Sequence, residues 1–183
     1  MSSLGNRYHL QEQKSEQDLK FFFISKGQQD VVKVIQYSFI QKIFDKSVYN
    51  LGFGDYDIVM DTIIDDVNTN NGDAFKVLNT VLSTIPLFFE NYEGCVLMVQ
   101  GSDGRPEFIE ICRQKCVKKC KDECKNFNRR INIYSYYVNK SYEQLAVDYQ
   151  FFGGLKNGEG YTVLEAYKVG KKYDSVLLVK RND

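Results

Sequence analysis

The sequence has no tryptophan, one histidine and only two prolines, and its 24 basic residues balance its 24 acidic ones. Each shortage excludes something. The single histidine, His9, sits in a polar stretch near the start, so a Ser-His-Asp or Cys-His device would have to recruit it from there. Multi-histidine metal catalysis is excluded outright. With two prolines, long disordered linkers are not expected. Zero net charge means that no whole-molecule field draws in nucleic acid or membrane, so any such attraction must be local. The longest apolar runs, "FFFI" and "IPLFF", fall far short of a membrane span. No signal-peptide core opens the chain. A cytoplasmic protein with no membrane association is the expectation, and its five cysteines are then expected to be reduced.

What is present is a good core: 43% hydrophobic residues over 183 positions, with 14% aromatics, all Phe and Tyr. Residues 1–18 read as a polar N-terminal tail and 19–183 as a single domain. "LKFFFISKG" and "DVVKVIQYSFI" read as a hairpin. "SVYNLGFGDYD" follows as a strand, with Gly52 and Gly54 marking a bulge or close approach, and "DIVMDTIIDDV" is its expected partner. From Asp73 to Tyr92, apolar residues recur every three or four positions, the stripe of a helix packed on a core. Asn71 or Asp73 is placed to cap it and Gly94 to stop it, with Pro86 as a point of weakness. "CVLMVQG" reads as a buried strand, Pro106 as the first turn of a helix, and residues 128–147 as a further helix. "DYQFFGG" and "DSVLLVKR" close the chain as strands. The order lacks regular strand–helix alternation. The predicted fold class is α+β, a mainly antiparallel sheet with helices packed on one face, plus a cysteine-rich basic helical insertion at about 108–128.

The insertion carries the most chemistry. In "CRQKCVKKCKDEC", Cys112, Cys116, Cys120 and Cys124 stand at a strict spacing of four. Along one straight helix, twelve residues rise by about 18 Å, whereas four thiolates around one zinc lie within about 4 Å of each other. A bend within "VKKCKDE" removes the conflict by folding two thiol pairs together. The expectation is a structural zinc held by these four residues; free thiols on a helix, an iron–sulfur cluster and disulfides are the alternatives. Cys95, at a strand start, reads as a small core residue.

Between Arg113 and Arg130, eight Lys or Arg residues face two acids. Such a surplus suits a phosphate backbone or an anionic protein surface, and a solvated helical face is the plainer alternative. Candidate anion or nucleic-acid contacts are Lys118, Lys119, Arg129 and Arg130, with Ser102 and Arg105 of the "GSDGRP" turn. That turn lacks the pattern of a phosphate loop. The carboxylates Asp55, Asp57, Asp61, Asp65 and Asp66 read first as polar hairpin positions. With Arg129 or Arg130 they supply the enzyme alternative, a metal-dependent nuclease or phosphotransfer protein.

The pieces "YNLGFGD" at 49–55, "NNGD" at 70–73, "GS" at 101–102, "RRINIY" at 129–134, "FFGG" at 151–154 and "LLVKR" at 177–181 run in order along the chain. In this it resembles a poorly characterised family of short bacterial proteins. The resemblance implies no activity, so it assigns no catalytic residue. It also implies that the arginine-bearing helix follows the "GS" strand almost directly, whereas here the cysteine segment intervenes as an elaboration. The expected function is a non-enzymatic interaction protein. A toxin–antitoxin or stress component acting through protein contacts is a further alternative.

Overall fold

The computed structural model describes residues 6–16, 18–64, 71–116, 118, 120–121, 123–159 and 161–181. The protein is α+β, and its described residues form nine strands and three α-helices with mostly antiparallel pairing. The chain divides into two compact units, Met1–Cys95 and Val96–Asp183.

In the first unit, β1 (Gln11–Lys14), β2 (Asp18–Ser25), β3 (Val31–Ile43), β4 (Lys46–Asp57) and β5 (Thr62–Ile64) pair in sequence order, each antiparallel to the next. The period-two pattern of β2 explains its placement: Leu19, Phe21, Phe23 and Ser25 are buried and alternate with more exposed neighbours. Strands β3 and β4 form a long hairpin, turning through Phe44 and Asp45, both at positive φ (47° and 63°). Two such residues give a primed turn, whose twist matches that of the strands. The register shift lies on β3, between Phe39 and Gln41, rather than at Gly52 or Gly54.

Helix α1 (Ala74–Asn91) buries Val81, Ile85, Phe88 and Phe89 of the predicted stripe, whereas Leu78 and Leu82 are half-buried and Val77, outside that stripe, is buried. Phe88 stacks on Tyr37 of β3 with ring centres 4.6 Å apart, and Tyr49 meets it edge-on. Thr84 Oγ1 and the Tyr37 hydroxyl share a 2.6 Å hydrogen bond inside this core. Phe75, at the first turn, is 65% exposed and stands outside the stripe. Pro86 is accommodated within the helix at an exposed position. Residues 6–16 contribute more than their polarity suggests. Tyr8 stacks on Phe23, its backbone amide donates to Thr80 Oγ1, and β1 follows it.

In the second unit, β6 (Val96–Gln100), β9 (Ser175–Lys180), β7 (Tyr149–Lys156) and β8 (Thr162–Ala166) lie in that order, antiparallel throughout. A 3-10 turn at Ser102–Gly104 leads from β6 to α2 (Pro106–Lys115), and α3 (Arg129–Asp148) runs directly into β7. The glycines of "FFGG" are explained by close approach: a Cβ on Gly153 would come within 2.0 Å of the Tyr173 ring. No helix among the described residues is long and apolar enough to cross a membrane.

Candidate metal centre

Proline at the first position fixes the start of α2, and the helix ends where Cys116 turns extended (φ −75°, ψ 114°). From there to Asn128 the described residues form turns and bends, with no helix or strand. The sequence explains the break: "KKCKDEC" offers no apolar stripe to bury, so nothing holds a second helical stretch against a core. The insertion is therefore bent.

The bend gathers the thiols. Cys112 and Cys116 are one helical turn apart, and Cys116 Sγ lies 3.9 Å from Cys120 Sγ. Cys112, Cys116, Cys120 and Cys124 together line one cavity of about 70 Å³, with Arg113, Lys121 and Glu123 at its edge. All four are free and half-buried. A larger cleft of about 530 Å³ shares Arg113, Glu123 and Cys124 with it.

Asn126, which nothing in the cysteine spacing announces, organises the cluster. Its amide donates to Cys112 Sγ at 3.4 Å and to Cys116 Sγ at 3.7 Å, while its carbonyl accepts from Lys118 Nζ at 2.6 Å. The Lys125 backbone amide donates to Cys120 Sγ at 3.4 Å. N–H donors of this kind stabilise thiolate. The Cys116 thiol is held below the usual thiol range by the Lys118 backbone amide, with Cys120 and Cys112 adding to the effect. At Cys112 the Asn126 bond pulls downward, but burial together with Cys124 and Cys116 leaves that thiol raised.

Among the described residues, no group of three or more His, Cys, Asp or Glu side chains is placed so that it could hold a metal ion. The thiols are gathered without being closed. Four sulfurs line one cavity, and thiolate sulfur is a donor that soft metal ions take in general.

The neighbouring turn brings Ser102 and Arg130 together: Arg130 Nη1 donates to Ser102 Oγ at 2.6 Å. The more informative residue is Asp103, which no sequence motif marks. It is 4% exposed, and its Oδ2 accepts the backbone amide of Arg130 at 2.9 Å in the first turn of α3. A carboxylate of the protein thus occupies a place where an external anion would meet free amides. Its Oδ1 lies where a Cβ on Gly101 would come within 2.4 Å, which accounts for the glycine of "GS". Arg105 is exposed just before α2, and Arg129 is exposed at the start of α3. Lys119 lies outside the described residues.

The carboxylates of the first unit are engaged locally. Asp55 pairs with Lys33 across β3 and β4. Asp57 accepts the amides of Val59 and Met60, and Asp61 accepts from the Tyr56 hydroxyl at 2.6 Å and from Lys20 at 3.4 Å. These are the hairpin roles expected of them. Asp65 and Asp66 lie outside the described residues. His9 is exposed, and burial pushes the Cys95 thiol up. Asp73, at the start of α1, accepts from Ser25 and Tyr8 at 2.7 Å each and makes no side-chain cap. Asn71 donates to Ser25 Oγ at 3.0 Å.

A family model described as a family of unknown function (DUF6934) matches residues 5–109. It covers more than half of the chain, spans the first unit, and stops before Cys112. "RRINIY" and "FFGG" also lie beyond it. No curated protein and no solved structure matches the chain.

Proposed function

Since the chain belongs to DUF6934, and that family brings no activity with it, we propose a function from the residues themselves: a non-enzymatic interaction protein whose second unit carries a zinc-stapled basic segment. Cys112, Cys116, Cys120 and Cys124 hold the ion. The observation that carries this reading is the single cavity lined by all four sulfurs on a bent segment. The 3.9 Å between Cys116 and Cys120 is close to the roughly 4 Å edge of a four-thiolate zinc tetrahedron. Asn126 then serves as the outer support that orients the ligands. Zinc would cross-link a segment too polar to hold itself by burial, since metal binding contributes folding free energy directly. A reducing, cytoplasmic setting keeps the thiols available.

Nucleic acid is the partner the segment suits best, with an anionic protein as the alternative. Lys118, Lys121 and Lys125 are exposed on it, and Arg105, Arg113 and Arg129 are exposed on either side. The nuclease reading has less behind it, because Asp57 and Asp61 are committed to their own turn.

Native mass spectrometry of the reduced full chain tests the metal. One zinc per chain is expected, and Cys112→Ser or Cys124→Ser should lose it. A wild-type chain that takes up no zinc under reducing conditions would overturn the proposal.

A further inference from the structure

We propose that Cys116 and Cys120 are a reversible oxidation site, joined by a hydroperoxide into a disulfide that opens the cluster and releases its metal. This inference rests on the zinc reading. The sulfurs of this pair are in contact, at 3.9 Å. A disulfide needs about 2.05 Å, so one sulfur must move by roughly 2 Å. The chain permits that movement. Cys116 has already left α2 and Cys120 belongs to no helix or strand, so no helical hydrogen bond is broken. Cys112, by contrast, is fixed within α2. Both thiols are half-buried, so a small oxidant reaches them.

The chemistry balances with hydrogen peroxide as the oxidant. Cys116 sulfur, a zinc-bound thiolate, attacks one peroxide oxygen; the S–O bond forms, the O–O bond breaks, and the departing hydroxide takes a proton from solvent to become water. Cys120 sulfur then attacks the sulfenic sulfur. The S–S bond forms, the S–O bond breaks, and the departing hydroxide takes a second proton from solvent to leave as water. Two electrons pass from the thiols to the peroxide, and zinc keeps its oxidation state. The ligand set falls from four thiolates to two, which is too few for a closed structural site. The same segment therefore loses its staple when it is oxidised, and a thiol reductant restores it.

The test uses the full zinc-loaded chain, treated with stoichiometric hydrogen peroxide. Remaining thiols are blocked, the protein is digested with trypsin, and a chromogenic chelator follows the zinc. The expected result is a peptide cross-linked between Cys116 and Cys120, released zinc in step with it, and recovery with dithiothreitol and added zinc. A chain that holds zinc but gives a disulfide through Cys112 or Cys124, or only over-oxidised Cys116, overturns the inference and leaves the metal reading standing. A chain that forms the Cys116–Cys120 disulfide but never binds zinc overturns the metal reading, and the release step with it.

Discussion

Lys33 and Asp55 face each other across β3 and β4, and their charges meet with only 11% and 5% of the side chains exposed. The pair is formed by register: Lys33 is the cross-strand neighbour of Asp55, at the end of "YNLGFGD". A slip of one residue in either strand would send its member of the pair to the other face of the sheet and part it from its partner. The pair therefore specifies alignment as well as contributing attraction.

Asp55→Ala leaves the Lys33 ammonium buried without its partner and is expected to cost about 3–5 kcal/mol. The double change Lys33→Met with Asp55→Leu should recover most of that loss, because an apolar pair of similar volume replaces a desolvated ion pair. Urea unfolding of the three proteins measures this. A single variant as stable as the parent would show that the pair contributes nothing.

Asp73 is expected to contribute to stability against acid. Burial pushes its carboxyl up, but the Ser25 and Tyr8 hydroxyls and the nearby Lys33 charge outweigh burial and hold it below the usual range. A carboxyl depressed in the folded state contributes stability above its unfolded pKa, about 3.9. That contribution is lost as the pH falls through the lower, folded value. Asp73→Asn should therefore flatten the stability profile below about pH 4, followed by circular dichroism in an acid titration. An unchanged acid limb would assign the sensitivity to other carboxyls, such as Asp61 and Glu165, which are also depressed.

Gly153→Ala sets a methyl into the Tyr173 ring, so β7 or the Tyr173 segment must shift. The expected loss is about 1–3 kcal/mol. Gly158→Ala, with nothing within 4 Å of its added carbon, serves as the control. Thermal melts of the two variants should separate by several degrees.

Charge reversal at Lys118 and Lys125 examines the basic segment. If it binds a phosphate backbone, the slope of log affinity against log salt should become shallower by about 0.9 for each duplex phosphate no longer neutralised. Anisotropy with labelled oligonucleotides reads this. No binding at low salt would leave the segment as a solvated face or a protein-contact surface.

How far the sequence foretells the structure depends on how local each cause is. The α1 stripe is a pattern within one element, and Val81, Ile85, Phe88 and Phe89 are buried where it places them, while Phe75 is not; β2 is legible only as a run of β-formers, because its apolar residues are consecutive and the sheet decides which of them are buried. Strand β1, "QEQK", carries no apolar signal, because it is held by backbone pairing to β2. Strand β8 is almost wholly exposed, so no buried face marks it. At the cysteines, spacing alone names the four sulfurs and requires a bend. Asn126 is invisible in the spacing, because it reaches Cys112 from fourteen positions away. Asp103 is invisible for the same reason: its partner amide belongs to Arg130.

That carboxylate has a further consequence. Besides holding the Arg130 amide, Asp103 accepts the Asn128 amide at its backbone carbonyl, 3.2 Å away, and Gly104 lies against the Asn128 side chain. The chain thus leaves at Gly104 and returns at Asn128 through a single pinned gate. Whatever lies between is a closed excursion, and doubling the length of such a loop costs only about 0.6 kcal/mol in closure entropy. A change in the length of this excursion is therefore expected to leave β6 and α3 in place. The cysteine segment is cargo on a socket, and the socket is Asp103.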